Sequence, residues 1–399
     1  NCIKLSFLFC SITMDSSEDA IQQTDYDALS SRLSCHMKKY FNDEYILNLI
    51  PLLLYYNLLS IENTFLRNSL RRKLKSTFFD LFQLSHININ TILNTNNESY
   101  FKKINKFSPL KSPMINRGTY LRTMSINEKI NDFIKKNENV NKIQIISLGA
   151  GNDTRPFQLI PQYGNLIYFE LDMEQTTRLK SLAIQSSPIL SKKVGINPLN
   201  IEDLPITSND VLSFNPELST PNYKLIPFDL KQVKSNMKLS DFQQFQQIDT
   251  NVPTLIISEC CICYLSVDDA DNLLNFWKNN IVTNPSSEFS IYEPIGGSTT
   301  DNLNYGKVMV NNLNSRGLKM PSLMVYNSVE LQIERFKKIF ENYNDDNFSI
   351  WCNDMKWVYE NSITCEENKR LTSLEWLDEI EEFNLINSHY CLIVVKWKK

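Results

Sequence analysis

Apolar runs punctuate the chain between residues 142 and 294, and each ends in or near a glycine, an acid or a turn residue. They are KIQIISLG from Lys142, LIYFELD from Leu166, YKLIPFDL from Tyr223, TLIISE from Thr254 and EFSIYEP from Glu288. Their length and β-branched content predict strands. Helical spacing fills some of the gaps, as over Asp268 to Lys278, so the pattern predicts an α/β fold with a mostly parallel central sheet. In such a sheet ligands sit at the carboxyl ends of the strands. The last run, HYCLIVVKWKK, reads as a strand pairing antiparallel at the sheet edge, with SIWCNDMKWV before it. Ahead of the first strand, Ser125 is followed three residues later by Glu128, and Ile126, Ile130, Phe133 and Ile134 recur at helical spacing. That predicts a capped amphipathic helix from Ser125 to about Asn139.

The N-terminal third is less regular. Tyr45 to Ile61 is nearly all apolar, but Pro51 and two asparagines interrupt it, and it falls short of the ~20 residues of a membrane span. A buried or lid helix is expected. From Asn63 to Lys106 the chain turns Asn-, Ser- and Lys-rich, with a basic stretch (Arg67, Arg71, Arg72, Lys73, Lys75) and the low-complexity string HININTILNTNNESY. This predicts an insertion with a mobile tail, the basic stretch forming a solvated helix face rather than a dock for an acidic partner. Asn1 to Thr13 is apolar behind one lysine, and Met14 opens an acidic, start-like MDSSEDA. Residues 1–13 are therefore expected to be non-native upstream sequence, with the start at Met14.

Composition narrows the function. With 42% apolar and 22% charged residues and a net charge of −4 over 399 residues, the chain lacks the basic excess of a nucleic-acid binder. Nine cysteines without a small-domain framework read as reduced thiols of a cytoplasmic protein. The three histidines, His36, His86 and His389, are far apart, and no His/Cys run has zinc spacing, so no metal is expected.

Strand one runs into Gly149-Ala150-Gly151-Asn152-Asp153-Thr154, a turn that lets backbone approach a ligand. Thr154 occupies the third glycine position of a dinucleotide fingerprint and Pro156 follows, which argues against NAD or FAD. Asp172 ends strand two 21 residues after Gly151, near the ~20-residue offset at which an acid meets ribose hydroxyls. Asp229 ends the third run, where its carboxylate or the Leu230 backbone can face an adenine amino group, and Glu259 ends the fourth. One such acid is more often a cap or turn residue; three in register with a glycine turn point to a nucleoside site. Cys260 and Cys263 form a C-x-x-C, but without a second pair they read as buried small apolar residues.

SLGAGNDTRPF, FELD, PFDL and ISECCICYL together resemble the methyltransferase core of the leucine carboxyl methyltransferase family. QQTDYDALSSRLS and SPMINRGTYLRT resemble its N-terminal motifs, and YEPIGGS, MPSLMVYNS, SLEWLDEIEEF and HYCLIVVKW its C-terminal part. The resemblance covers about Gln22 to Tyr45 and Pro113 to the end, leaving 46–112 as the Asn-rich insertion. It implies a Rossmann-like class I S-adenosylmethionine-dependent methyltransferase: an N-terminal helical lid over residues 14–123, and a core over 124–399 with antiparallel C-terminal edge strands. It further implies that Arg122 pairs with the methionine carboxylate of S-adenosyl-L-methionine and that Gly149 packs on the cofactor. Asp172 would hold the ribose, Asp229 and Leu230 frame the adenine, and Glu259 approach the ammonium end. Arg32 falls where the family carries a basic, positively charged residue at the active site, and Tyr264 where it would line the substrate entrance. The implied partner is the catalytic subunit of type 2A protein phosphatases, methylated on its C-terminal leucine by a cytoplasmic monomer. Two alternatives stay open: a carboxyl methyltransferase acting on a modified transfer-RNA guanosine, a branch whose β-propeller this chain is expected to end too soon to carry, and a non-catalytic adaptor that masks the phosphatase tail.

Overall fold

The computed structural model describes residues 16–77, 111–281, 287–297, 300–344 and 347–397. The expected start at Met14 and the low-complexity string from His86 lie outside the described residues. In chain order the helices are α1 (Ser16–Met37), α2 (Ile46–Leu59), α3 (Thr64–Thr77), α4 (Pro113–Lys136), α5 (Arg155–Leu159), α6 (Glu174–Ser186), α7 (Pro188–Lys193) and α8 (Ser208–Leu212). They continue with α9 (Val267–Asn280), α10 (Thr300–Ser315), α11 (Val329–Ile339), α12 (Met355–Ser362), α13 (Cys365–Leu374) and α14 (Ile380–Asn387). The strands are β1 (Ile143–Leu148), β2 (Leu166–Asp172), β3 (Leu218–Ser219), β4 (Tyr223–Pro227), β5 (Thr254–Glu259), β6 (Ser287–Pro294), β7 (Phe348–Asp354) and β8 (Tyr390–Trp397).

The eight strands form one sheet in the order β3-β4-β2-β1-β5-β6-β8-β7. The inner five are parallel. At one end β8 runs antiparallel between β6 and β7, as expected; at the other β3 pairs antiparallel with β4. A two-residue strand is too short to leave a periodic signal, which is why the sequence does not predict β3. The chain passes from β1 outward to β2 and β4, then returns to the other side of β1 as β5. Order therefore reverses at β1, opening a crevice beyond the carboxyl ends of β1 and β5.

Alternation along each strand divides the interior. Ile143 and Ile145 of β1, Leu166 and Tyr168 of β2, and Leu255 and Ile257 of β5 join one core with α2, α4 and α6. Ile146, Leu148, Phe169, Leu171 and Ile256 point the other way into a core shared with α9 and α11. Burial on both faces is why these strands are almost wholly apolar.

The Tyr45–Ile61 run forms α2, a helix with Pro51 in its interior and most of its side chains buried. It packs on α6, where the Tyr56 hydroxyl and Ser186 Oγ are 2.5 Å apart. Part of the expected insertion thus belongs to the main core. No described helix is long and apolar enough to cross a membrane. The helix expected to start at Ser125 begins at Pro113 instead, and Ser125 is buried within it. Proline at the first helical position and the periodic Tyr120 and Leu121 extend it upstream. The expected lid/core boundary at 123/124 falls inside α4.

Leu53 of α2 is fully buried. Leu53→Ala should lower the unfolding free energy by ~2–5 kcal/mol. Urea denaturation checks this: a loss below ~0.5 kcal/mol, the range of surface positions, would mean that α2 is peripheral.

Candidate active site

A cavity of about 540 Å³ opens at the carboxyl ends of β1, β2 and β5. Arg32, Arg122, Gly149, Asp172, Asp229, Leu230, Glu259 and Tyr264 all line it. The topology therefore gathers residues that are as much as 232 positions apart in sequence, from Arg32 to Tyr264 (264 − 32).

The glycine turn follows β1, with Gly149 at φ +58° and Gly151 at φ +52°. Both lie where a side chain is strained. The space their missing Cβ atoms leave is filled by protein. A Cβ on Gly149 would lie 2.4 Å from Cys261 Sγ, and one on Gly151 2.6 Å from Asp25 Oδ1. Asp25 reaches over from α1 and accepts the Asn152 backbone N–H (3.1 Å) and its side-chain amide. Asp172 accepts the Gly151 N–H on Oδ2 at 2.6 Å and the Met173 N–H on Oδ1 at 2.7 Å. Below the turn, Lys180 of α6 donates to the carbonyls of Gly151 (3.1 Å) and Asp153 (2.9 Å) and pairs with Glu170 at 2.7 Å, both side chains fully buried. Burial pushes the Glu170 carboxyl up to about 7, although Lys180 pulls it down.

A second device is a chain of alternating charges. Asp43 pairs with Arg32 (2.8 Å) and Arg32 with Asp153 (3.1 Å). Arg155 bridges Asp153 and Glu259, each at 2.8 Å, and Glu259 meets Arg122 Nε at 2.5 Å. Burial alone would raise the Glu259 carboxyl, but Arg155 and then Arg122 outweigh it and hold it at about 2. Arg32 also donates to Thr154 Oγ1 at 2.9 Å, so Nη1 and Nη2 are both spent on protein. Arg122 differs. It engages Glu259 through Nε, and its Nη groups make no hydrogen bond to the described residues. Its guanidinium lies over the Tyr292 ring, 5.1 Å from the centroid, and Tyr292 stacks on Tyr390.

Asp229 lies two residues past the end of β4 rather than on it, and accepts the Lys231 N–H at 3.0 Å as the cap of a short 3-10 turn. Tyr264 stands in the turn after β5; burial raises its phenol well above the usual range, so it is neutral. Burial likewise pushes the Cys260 thiol up to about 12 and raises Cys261 and Cys263 further, which keeps all three protonated. Among the described residues no three His, Cys, Asp or Glu side chains gather as a metal site.

The sequence marks none of Asp25, Asp153 and Arg155 as a site residue in its own right. Asp153 and Arg155 sit inside the recognised string SLGAGNDTRPF and Asp25 inside QQTDYDALSSRLS. Their adjacency to the glycine turn and the lid motif was the available signal, but nothing local says which partners they meet.

Parallel strands reversing at β1, a glycine turn after β1 and the antiparallel β8 inserted between β6 and β7 form the Rossmann-like sheet of the class I S-adenosylmethionine-dependent methyltransferases. The leucine carboxyl methyltransferase family pattern matches residues 20–278, and the chain belongs to that family. A leucine carboxyl methyltransferase 1 of Candida albicans is 33% identical over 392 residues, spanning 95% of this chain and 92% of its own. One from Debaryomyces hansenii is 32% identical over 387 residues, spanning 94% and 92%. Among solved structures, the plantazolicin methyltransferase BamL is 11% identical, covers 78% of this chain and 95% of its own, and superposes with a TM-score of 0.38.

Burial, and next to it the Asp172 charge, raise the Asp25 carboxyl to about 6, against the pull of Asn152 and Lys180. Because the folded value exceeds the unfolded one, this group stabilises the fold below pH ~4 and its contribution is lost as pH rises through about 6. Asp25→Asn, which does not titrate, should gain on the wild type by ~2–3 kcal/mol between pH 4 and 7. Denaturation at both pH values measures this, and parallel stability profiles would count against a buried, proton-holding Asp25.

Proposed function

We propose that the chain transfers a methyl group from S-adenosyl-L-methionine to the α-carboxylate of the C-terminal leucine of type 2A protein phosphatase catalytic subunits, as a cytoplasmic monomer. The observation that carries the reading is the convergence of Gly149, Asp172, Asp229, Leu230 and Glu259 with Arg122 on one cavity. Family membership supplies the leucine carboxylate, and the resemblance to the phosphatase-modifying enzymes supplies the partner.

The residues fit the donor. Asp172 faces the cavity from the base of the glycine turn as a ribose acceptor, while Phe228, Leu230 and Leu265 give apolar lining near Asp229 for a flat base. Glu259, held ionised, suits an ammonium group. The two Nη groups of Arg122 suit a carboxylate. When bound, S-adenosyl-L-methionine supplies an electrophilic methyl on a sulfonium.

The residues of this chain then have little proton chemistry to perform. A C-terminal carboxyl has a pKa of about 3.3–3.7, so the nucleophile is ionised at neutral pH and requires no base. Neutral Tyr264 and the protonated thiols of Cys260 and Cys261 line the cavity without competing as methyl acceptors. What remains is orientation of the carboxylate oxygen and exclusion of water. The ion chain fixes the walls that do this. Arg32, for which the resemblance implies an active-site place, lines the cavity while its ion pairs to Asp43 and Asp153 tie α1 to the loop after β1.

Incubation with labelled donor should place base-labile methyl on the phosphatase catalytic subunit, and not on one lacking its terminal leucine. Asp172→Asn removes the carboxylate charge from the ribose position, and should weaken donor binding about 10- to 100-fold, the equivalent of ~1.5–3 kcal/mol. Donor binding without leucine-dependent label would refute the proposed acceptor.

A further inference from the structure

Building on that substrate reading, we propose that Arg316 is a specificity-determining residue which receives a carboxylate of the incoming protein tail in exchange for Asp27. The argument starts from charge. Carboxylates outnumber cations along the described lining of the cavity, which suits a cationic donor but repels a substrate that ends in a carboxylate. Arg32 is spent on Asp43, Asp153 and Thr154, and Arg122 is tied to Glu259 within the wall.

Arg316 is placed differently. Its Nη2 meets Asp27 Oδ2 at 2.8 Å; both residues line the cavity, yet their side chains are 54% and 44% exposed, which puts the pair at the mouth. Asp27 comes from the lid helix α1 and Arg316 from the end of α10, so the pair spans the entrance. The backbone of Arg316 is fixed. Gly317 at φ +79° donates to the Asn314 carbonyl (3.0 Å) and Leu318 to the Leu313 carbonyl (2.9 Å), a Schellman ending with Arg316 at the C-cap. The guanidinium is thus presented from a rigid point, while its partner is held by a solvent-screened contact of the kind that adds little stability. One carboxylate can replace another there at small cost. Leu313, Leu318 and Met320 line the cavity beside it and offer apolar surface to a leucine side chain.

An exchange of this kind makes the two partners act with opposite sign, which a merely structural salt bridge does not. With the whole phosphatase catalytic subunit as substrate, Arg316→Gln should raise KM about 10-fold, the loss of one charge-assisted pairing. Asp27→Asn should lower KM several-fold by releasing Arg316. Donor affinity, measured by calorimetry, should be the same in all three proteins. A second substrate, with the acidic side chains of its last ten residues changed to amides, identifies the carboxylate. If the Arg316 effect persists, the charge received is the terminal carboxylate; if it vanishes, it is an acidic side chain upstream, and either result supports the exchange. KM shifts of the same sign in both variants, no shift, or a change confined to donor affinity would overturn it. Wild-type enzyme that transfers no methyl to the leucine-ended subunit would instead remove the proposed acceptor, before any variant is compared, and the exchange with it.

Discussion

The site depends on the unbroken alternation Asp43–Arg32–Asp153–Arg155–Glu259–Arg122. Each charge is at least largely buried, and an isolated charge in such surroundings costs several kcal/mol. Within the chain, interior members meet two opposite charges apiece, and the acids balance the arginines. The members come from α1 and the loop after it, the loop after β1 together with α5, the end of β5, and α4. No one of these elements can shift without stranding a charge. The lid and the sheet are thereby held in one geometry at the place where ligand must sit.

This allocation of arginines has a catalytic consequence. In carboxylate methylation both the nucleophile and the sulfonium lose their charge as the methyl moves, so a strong ion pair to the substrate oxygen would stabilise the ground state more than the transition state. A cavity with Arg32 free to clamp the substrate would bind it better and react more slowly. In this structure both Nη groups of Arg32 are held by Asp43, Asp153 and Thr154, and the open Nη groups belong to Arg122, whose other contacts are Glu259 and the Tyr292 face. The charges of the walls are used internally, so Arg32 is not left open to clamp a substrate carboxylate.

Much of this was legible in the sequence because it is periodic or terminal. Strands buried on both faces announce themselves as β-branched runs, and residues at their ends must face the crevice once the order of strands reverses at β1. Asp172 and Glu259 were found in that way, and Asp229 was placed within two residues of its strand end. The helix containing Arg122 was misplaced by twelve residues at its start, since Ser125 and Glu128 imitate a capping box inside a longer helix that Pro113 begins. What could not be read were contacts between segments distant in sequence. Arg32 was legible as a charged lid residue but not as one already paired, and Asp25 carried no sign that it would reach Asn152.

The glycine turn shows the same limit more sharply. From sequence alone, two glycines flanking an alanine after a strand mean room for a ligand. In the structure the missing Cβ atoms accommodate Asp25 of the lid on one side and Cys261 of the loop after β5 on the other. The turn is therefore clamped between the two elements that flank the cavity, and Asp172 is bonded to the middle of the clamped segment through the Gly151 N–H. Asp172 and the lid's Asp25 thus accept adjacent backbone N–H groups, those of Gly151 and Asn152, while Lys180 holds the Gly151 carbonyl from below. The same glycines make room for the lid on one side and for the loop after β5 on the other.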